Sequence, residues 1–374
     1  MEIVNYVLLA FALVAAVDRI FGSRLGLGAD FEKGVSMAGP LILTIGGMLI
    51  LTPAISGWLS GISGASTMFF DFSIIPAALL ANDMGVSQIA MGLAASPEVG
   101  LLNGMVVSSM MGCTVSFLIP YVLQVTSKHR HNDVIFGLLC GVITIPVGVA
   151  VAGVIIGVDF LSLIFVLLPL ILFAGLLAVG IVKFERVTVK IVVVFGWIIK
   201  AIITFGLAVG IIDFVVGMYS PDFKLIPGTD SLESVMKTVI TLVCVIVGAF
   251  PLLSILGKLL KKPLSAMGRR LDVNDSSAFG LFMTLGTSFT TFEMEPKMDR
   301  RGLIFNSAFA VSASFMFMDH LAWTLSVAPD LTDKVAAVTV AVIVGKFVSA
   351  VTAVGFAYFM CRIRGIGKEQ DAVS

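Results

Sequence analysis

The chain has 374 residues, of which 58% are hydrophobic and only 13% charged, and its mean hydropathy is +1.07. A soluble domain carries about 25% charged residues, so the composition excludes a soluble enzyme or binding module and predicts an all-α polytopic membrane protein, its main partner the lipid bilayer. The 24 basic and 24 acidic residues balance, which excludes the basic surface of a nucleic-acid-binding protein.

In chain order, the first apolar run, 3–21, lacks a basic n-region and a small-residue cleavage site, so it is expected to be a retained span. Runs 35–60, 101–125, 134–157, 160–182, 190–218, 232–257, 302–326 and 335–361 follow. Each can cross a hydrocarbon core of about 30 Å, giving about nine spanning helices. Two further segments, about 66–98 and 276–299, are interrupted by polar and turn residues: Asp71, Pro76, Asn82, Asp83 and Gly85 in the first, Thr287, Ser288, Thr290, Thr291 and Glu293 in the second. Basic residues gather at Arg19/Arg24/Lys33, Lys128/Arg130, Lys183/Arg186/Lys190, Lys258/Lys261/Lys262/Arg269/Arg270 and Arg362/Arg364/Lys368; the loops near 62, 158, 222 and 330 have few. Placing the basic set in the cytoplasm puts the N-terminus outside and the C-terminus inside. The sides then alternate only if both interrupted segments are re-entrant, the first from outside and the second from inside. If both cross, the count becomes eleven.

An internal repeat supports the re-entrant arrangement. Ser36, Pro53 and Ser56 recur as Ser234, Pro251 and Ser254; Asp18 and Gly22 as Asp213 and Gly217; Asn103 and Ser109 as Asn306 and Ser312. The expected division is a first repeat over 1–158, a linking span over 159–189, a second repeat of opposite orientation over 190–361, and a cytoplasmic tail over 362–374. Inverted repeats with broken helices are an architecture of secondary transporters, with substrate bound near the midplane.

Asp83, Asp319 and Lys346 lie well inside apolar stretches, where an ionisable group is costly unless it is used. Asp83 follows Asn82 where an apolar helix stops before Gly85, a break tolerated at depth only beside protein or a water-filled cavity. Asp319 sits roughly 10 Å inside its span by helical rise, and Lys346 is near the middle of the last one. Adjacent antiparallel spans allow an Asp319–Lys346 pair as readily as a direct substrate role. Two carboxylates and one lysine leave one net negative charge, which suits a monocation. His320 can share a proton near neutral pH. Asn103, Asn306, Thr287 and Ser288 offer hydrogen bonds to a small hydroxylated substrate, although Ser and Thr also join membrane helices to one another. His129 and His131 belong to a basic loop and read as topology determinants. Cys113, Cys140, Cys244 and Cys361 are scattered singly and read as small buried hydrophobes; no metal site is expected. Gly137-x3-Gly141 and Gly206-x3-Gly210 read as close-packing positions. No nucleophile–base pair stands out, so an enzyme is not expected.

Several strings resemble the ethanolamine-utilisation permease family (the EutH type). They are Ala15-Ala16-Val17-Asp18-Arg19-Ile20, Leu79-Leu80-Ala81 with Asp83-Met84-Gly85, Ser109-Met110-Met111-Gly112 and Thr144-Ile145-Pro146. The most specific is Met298-Asp299-x-Arg301-Gly302-x3-Asn306-x-Ala308-Phe309-Ala310-Val311-Ser312-Ala313, followed by Asp319-His320-Leu321 and Gly345-Lys346. The resemblance implies a multi-pass protein of the bacterial cytoplasmic (inner) membrane that imports ethanolamine for catabolism by a lyase in a microcompartment. No cofactor is implied; proton or sodium coupling and a homodimer are both compatible with it. Asp83, Asp319 and His320 match the family's motifs and also stand out physically. Where the family has a Leu-Ala-Asn-Asn-like break, this chain reads Leu285-Gly286-Thr287-Ser288, a departure that could alter affinity or the preferred amino alcohol. The alternative expectation is a sodium or proton antiporter, or an ion-coupled carrier of another small cationic solute.

Overall fold

Backbone amides in hydrocarbon must find their partners within the chain, which restricts an apolar sequence of this kind to helices. The computed structural model describes residues 2–63, 66 and 70–367, and all regular structure among them is helical; residues 368–374 of the expected tail lie outside the described residues. The elements are α1 (Glu2–Ile20), α2 (Leu27–Ser36), α3 (Gly47–Ser63), α4 (Ile74–Leu79), α5 (Val86–Leu93), α6 (Pro97–Val125), α7 (His131–Ile156), α8 (Phe160–Gly180) and α9 (Val193–Gly217). They continue as α10 (Leu232–Leu259), α11 (Lys261–Leu271), α12 (Asp275–Thr284), α13 (Ser288–Glu293), α14 (Arg300–Ala313), α15 (Asp319–Leu331) and α16 (Val335–Ile363). Six described helices are long and apolar enough to cross a membrane: α6, the 128–156 helix containing α7, α8, α9, α10 and α16.

Of the expected continuous spans, one is interrupted and another is helical but irregular. The run 35–60 passes through a wide π turn over Ile42–Gly46 between α2 and α3. The run 302–326 is cut at Ser314–Met318, where Phe315 takes a left-handed φ of 61°. α6 is continuous but wound with π turns over Leu102–Gly112, all eleven residues buried. Its hydroxyls bond inward: Ser108 donates to Gly104 O, Ser109 to Val106 O and Ser116 to Gly112 O. They satisfy the helix that carries them.

The helices pack in two groups, and each group draws on both halves of the chain. In the first, α1, α2, α3, α9 and α10 meet through glycines. A Cβ on Gly206 would fall 2.1 Å from Gly47 O, and one on Gly248 2.2 Å from Leu8 O. In the second, α7, α14 and α16 make the central contact; a Cβ on Gly137 would fall 2.3 Å from Ile304 O.

Each interrupted segment is a helix–break–helix hairpin with its ends tied together. In the first, Ser66 Oγ donates to Leu93 O and the Asp71 carboxylate accepts from Ala95 N–H at 2.7 Å. In the second, Asp299 accepts from Asn274 N–H at 2.9 Å and from Ser277 Oγ at 2.7 Å. The first base adjoins Glu98, which pairs with Lys334 at 3.0 Å. The second is gripped by Arg130, which donates to the carbonyls of Glu295 (2.8 Å) and Met298 (3.0 Å) and lies 3.1 Å from the Glu295 carboxylate. Glu98 and Arg130 flank α6, a 29-residue helix spanning roughly 40 Å at 1.5 Å per residue. The two hairpin bases therefore sit at opposite ends of that helix. Other loops are stapled alike in the two halves. Asp18 accepts from the N–H groups of Leu25, Leu27 and Gly28, and Asp213 from Leu225 N–H and Thr229 Oγ.

Two outcomes follow for stability in detergent. Gly47→Leu, whose Cβ alone would meet Ile203 O at 1.7 Å, abolishes monodisperse protein on size exclusion, whereas Gly175→Ala, with nothing within 4 Å, leaves thermal stability unchanged or raised. Arg130→Ala leaves the buried Glu295 carboxylate unpaired and destabilises by about 3–5 kcal/mol, with Glu295→Gln milder, as read from thermal unfolding.

Candidate functional site

The first hairpin breaks because the chain runs extended through Leu80 and Ala81, makes one 3-10 turn over Asn82–Met84, and reverses at Gly85 with φ 73°. The break is wedged between two helices that come unusually close. A Cβ on Gly112 of α6 would lie 1.9 Å from Leu80 O, and one on Gly85 would lie 2.2 Å from Thr52 Oγ1 of α3. This fixes Asp83, half-buried, at the hairpin tip. Asp83 Oδ1 and both side-chain atoms of the fully buried Asn82 have no hydrogen-bond partner among the described residues.

Asp319 is positioned by the second break. Phe317 N–H donates to Leu285 O, in the tip of the second hairpin, at 2.9 Å, and His320 N–H donates to Phe315 O at 3.1 Å. α15 thus starts inside the protein with Asp319 and His320 in its first turn. Asp83, Asp319 and His320 line one cavity of about 80 Å³. The rest of its wall includes Leu41 and Ile45 from the segment between α2 and α3, Cys113 and Phe117 from α6, Phe289 from α13 and Phe315 from the break before α15. The cavity lies where the two groups meet.

Phe117, Phe289 and Phe315 form a triangle of rings with centroids 5.5–5.7 Å apart, and Tyr121 stacks on Phe117 at 5.6 Å and meets Phe289 at 4.8 Å. Phe117 also lines a second space, a cleft of about 280 Å³ bordered by Tyr121, Gln124, Trp197 and Lys200. The rings separate the cavity from this cleft, which lies toward the Val125 end of α6. Lys200 stands over the Trp197 ring at 5.5 Å. A larger groove of about 540 Å³ runs between α11 and α16, but its lining is apolar apart from Arg270; with no carboxylate it has no means of selecting a cation.

The other predicted residues lie outside this cavity. Lys346 does not pair with Asp319. Its Nζ donates to Ser109 O at 2.7 Å and stands 2.9 Å from His320 Nδ1, one imidazole ring behind the cavity wall. Asn103 donates to Ser73 Oγ at 2.8 Å, and Asn306 to Ser277 O at 2.9 Å and Gly302 O at 2.8 Å. Both asparagines join a hairpin arm to the following helix, because a buried amide takes the nearest backbone or hydroxyl partner. The Thr287 hydroxyl caps the short α13 by accepting from Phe289 N–H. Ser288 is fully buried, its hydroxyl without a partner among the described residues. Cys113, Cys140 and Cys361 are buried as expected of small hydrophobes, while Cys244 is exposed. Sequence reasoning missed the aromatic triangle and the Phe315 break. Neither carries a local signal, since Ser314–Met318 contains no Gly or Pro and phenylalanines are ordinary in apolar spans.

Comparison with known proteins agrees with this picture of a multi-pass membrane protein. The family model described as ethanolamine utilisation protein, EutH, matches residues 1–360. The probable ethanolamine permease EutH of Listeria monocytogenes serotype 1/2a (strain 10403S) is 36% identical over 377 residues, covering 100% of this chain and 98% of the relative. The proteins of the same name from Salmonella typhimurium (strain LT2) and Escherichia coli (strain K12) are each 31% identical over 399 residues, covering 96% of this chain and 95% of the relative. No solved structure matches the chain. With the family match running through both hairpins and both cavity carboxylates, the chain belongs to the EutH ethanolamine utilisation family.

Proposed function

We propose that this protein is a carrier for protonated ethanolamine, taking it across the bacterial cytoplasmic membrane by alternating access. The observation that carries the reading is the meeting of Asp83 and Asp319, from opposite halves of the chain, on one small cavity walled by aromatic rings. A primary amine is a cation at neutral pH. Two carboxylates at low dielectric attract it strongly, and ring faces add a cation–π attraction of about 0.5–2 kcal/mol. A cavity of about 80 Å³ suits a solute of about four heavy atoms or several waters, which argues against larger amines.

Movement has a physical basis in the two helix groups. The cavity lies at their contact, so sliding one group against the other would open it to either face. The matching staples at Asp18 and Asp213 and at Asn103 and Asn306, and the hairpin bases at opposite ends of α6, support an inverted repeat whose hairpins enter from opposite sides. With the basic loops in the cytoplasm, the N-terminus is outside, the C-terminus inside, and the aromatic triangle is the inner seal.

Counterflow of labelled ethanolamine in proteoliposomes tests the reading. Asp83→Asn and Asp319→Asn each lower uptake at subsaturating substrate by at least about tenfold, the order of one lost charge-assisted contact, and the double variant shows no saturable uptake. Methylamine and propanolamine compete, and choline competes poorly. Carboxylate-dependent sodium or proton exchange without ethanolamine binding would replace this reading with an ion antiporter. Phe117→Ala, which removes one ring of the seal, adds a non-saturable leak of labelled ethanolamine from preloaded vesicles while Lys200→Ala does not.

A further inference from the structure

We infer that Lys346 and His320 form a proton relay that makes the carrier exchange a proton for each ammonium it binds. The inference rests on the carrier reading above and adds the ion to which transport is linked. Lys346 is fully buried in the middle of α16. Its contacts are two acceptors, Ser109 O at 2.7 Å and His320 Nδ1 at 2.9 Å, and it makes no ion pair within 4 Å among the described residues. Two acceptors satisfy the two hydrogens of a neutral amine completely and leave one hydrogen of an ammonium over, so the site accommodates both states. A lysine used only for packing at this depth would be paired with a carboxylate, and Asp319, one residue from His320, is instead turned to the cavity.

His320 lines the cavity and is hydrogen-bonded to Lys346. With Nδ1 accepting from Lys346, the neutral ring carries its hydrogen on Nε2. Cys113 on α6 is the titratable group in electrostatic reach of Lys346, and Asp83 on the hairpin tip and Asp319 on α15 share the cavity wall with Cys113 and are within its reach. One turn along α16 from Lys346, Ser349 takes hydrogen bonds from α7 and α14 through the uncharged Thr144 and Ser312.

An ammonium drawn to Asp83 and Asp319 arrives one imidazole away from the charge on Lys346. At that separation in a protein dielectric, the repulsion lowers the proton affinity of Lys346 by roughly tenfold or more. The step balances as follows. An Nζ–H bond of Lys346 breaks and an N–H bond forms at His320 Nδ1, while the Nε2–H bond breaks and its proton passes to a cavity water or to the Asp319 carboxylate and then to solvent. Lys346 is left neutral, and the site's total charge is unchanged because one cation has replaced another. When the ammonium leaves on the far side, a proton returns by the reverse route.

The test is the heat of ethanolamine binding to the purified protein near neutral pH in two buffers of different ionisation enthalpy. Wild-type protein is expected to release about one proton per ethanolamine, and its dissociation constant to fall up to about tenfold per pH unit through the titration of Lys346. Lys346→Met and Lys346→Gln, which leave the cavity wall in place, are expected to bind ethanolamine with no proton release and a flat pH dependence; the glutamine keeps a hydrogen-bonding group should the methionine variant fail to fold. Binding with buffer-independent heat in the wild type overturns the relay and leaves the carrier reading standing. Proton release of wild-type size from a folded Lys346 variant also overturns it, by assigning the exchange to Asp83 and Asp319 alone. Absence of ethanolamine binding by the wild type overturns the carrier reading and the relay with it.

Discussion

The constraint on which the rest depends is that a helix broken at membrane depth must have its exposed backbone groups covered by protein. Here two breaks, at 80–85 and at 314–318, are covered in the same way. The first is enclosed because Gly112 lets α6 approach the Leu80 carbonyl and Gly85 lets the Thr52 side chain of α3 close on the turn. The second is closed by the bond from Phe317 N–H to Leu285 O of the second hairpin. Each break places a carboxylate, Asp83 within the first and Asp319 just after the second. Irregular backbone, which is expensive in lipid, is thereby confined to the place where it can line a cavity.

The helices around the site pack as two groups. The helices that approach through glycine contacts, such as α9 on α3 and α10 on α1, form one body, and α7, α14 and α16 form the heart of another. Asp319, His320 and the aromatic triangle sit on the side of the second body and Leu41 and Ile45 on that of the first, while the Asp83 hairpin tip is held between α6 and Thr52 of α3. Each of these packed groups takes helices from both halves of the chain.

Much of the site was legible because burying charge in an apolar chain is costly, so each exception carries information. Asp83, Asp319, His320 and Lys346 were all visible for that reason. Their pairing was not. Helical register allowed Lys346 to meet Asp319, and the actual contact with His320 depends on the break at Phe315, which rotates α15 relative to a continuous helix. Asn103 and Asn306 are visible as repeat partners, but their amide nitrogens join hairpin to helix rather than line the cavity. An amide in an apolar run reads the same whether its partner is a ligand or the backbone of a neighbouring hairpin.

The sequence by itself determined that the chain is helical and multi-pass, that it has two interrupted segments, and which ionisable groups lie deep. These follow from local hydropathy and from the cost of charge in hydrocarbon, quantities that can be summed along a chain. Only the tertiary structure decided that the two carboxylates share one cavity, that three phenylalanines close it, and that Lys346 stands behind His320 rather than beside Asp319. Those facts depend on crossing points set by glycine contacts and by a left-handed phenylalanine, residues whose effect lies in what they allow to approach rather than in what they are.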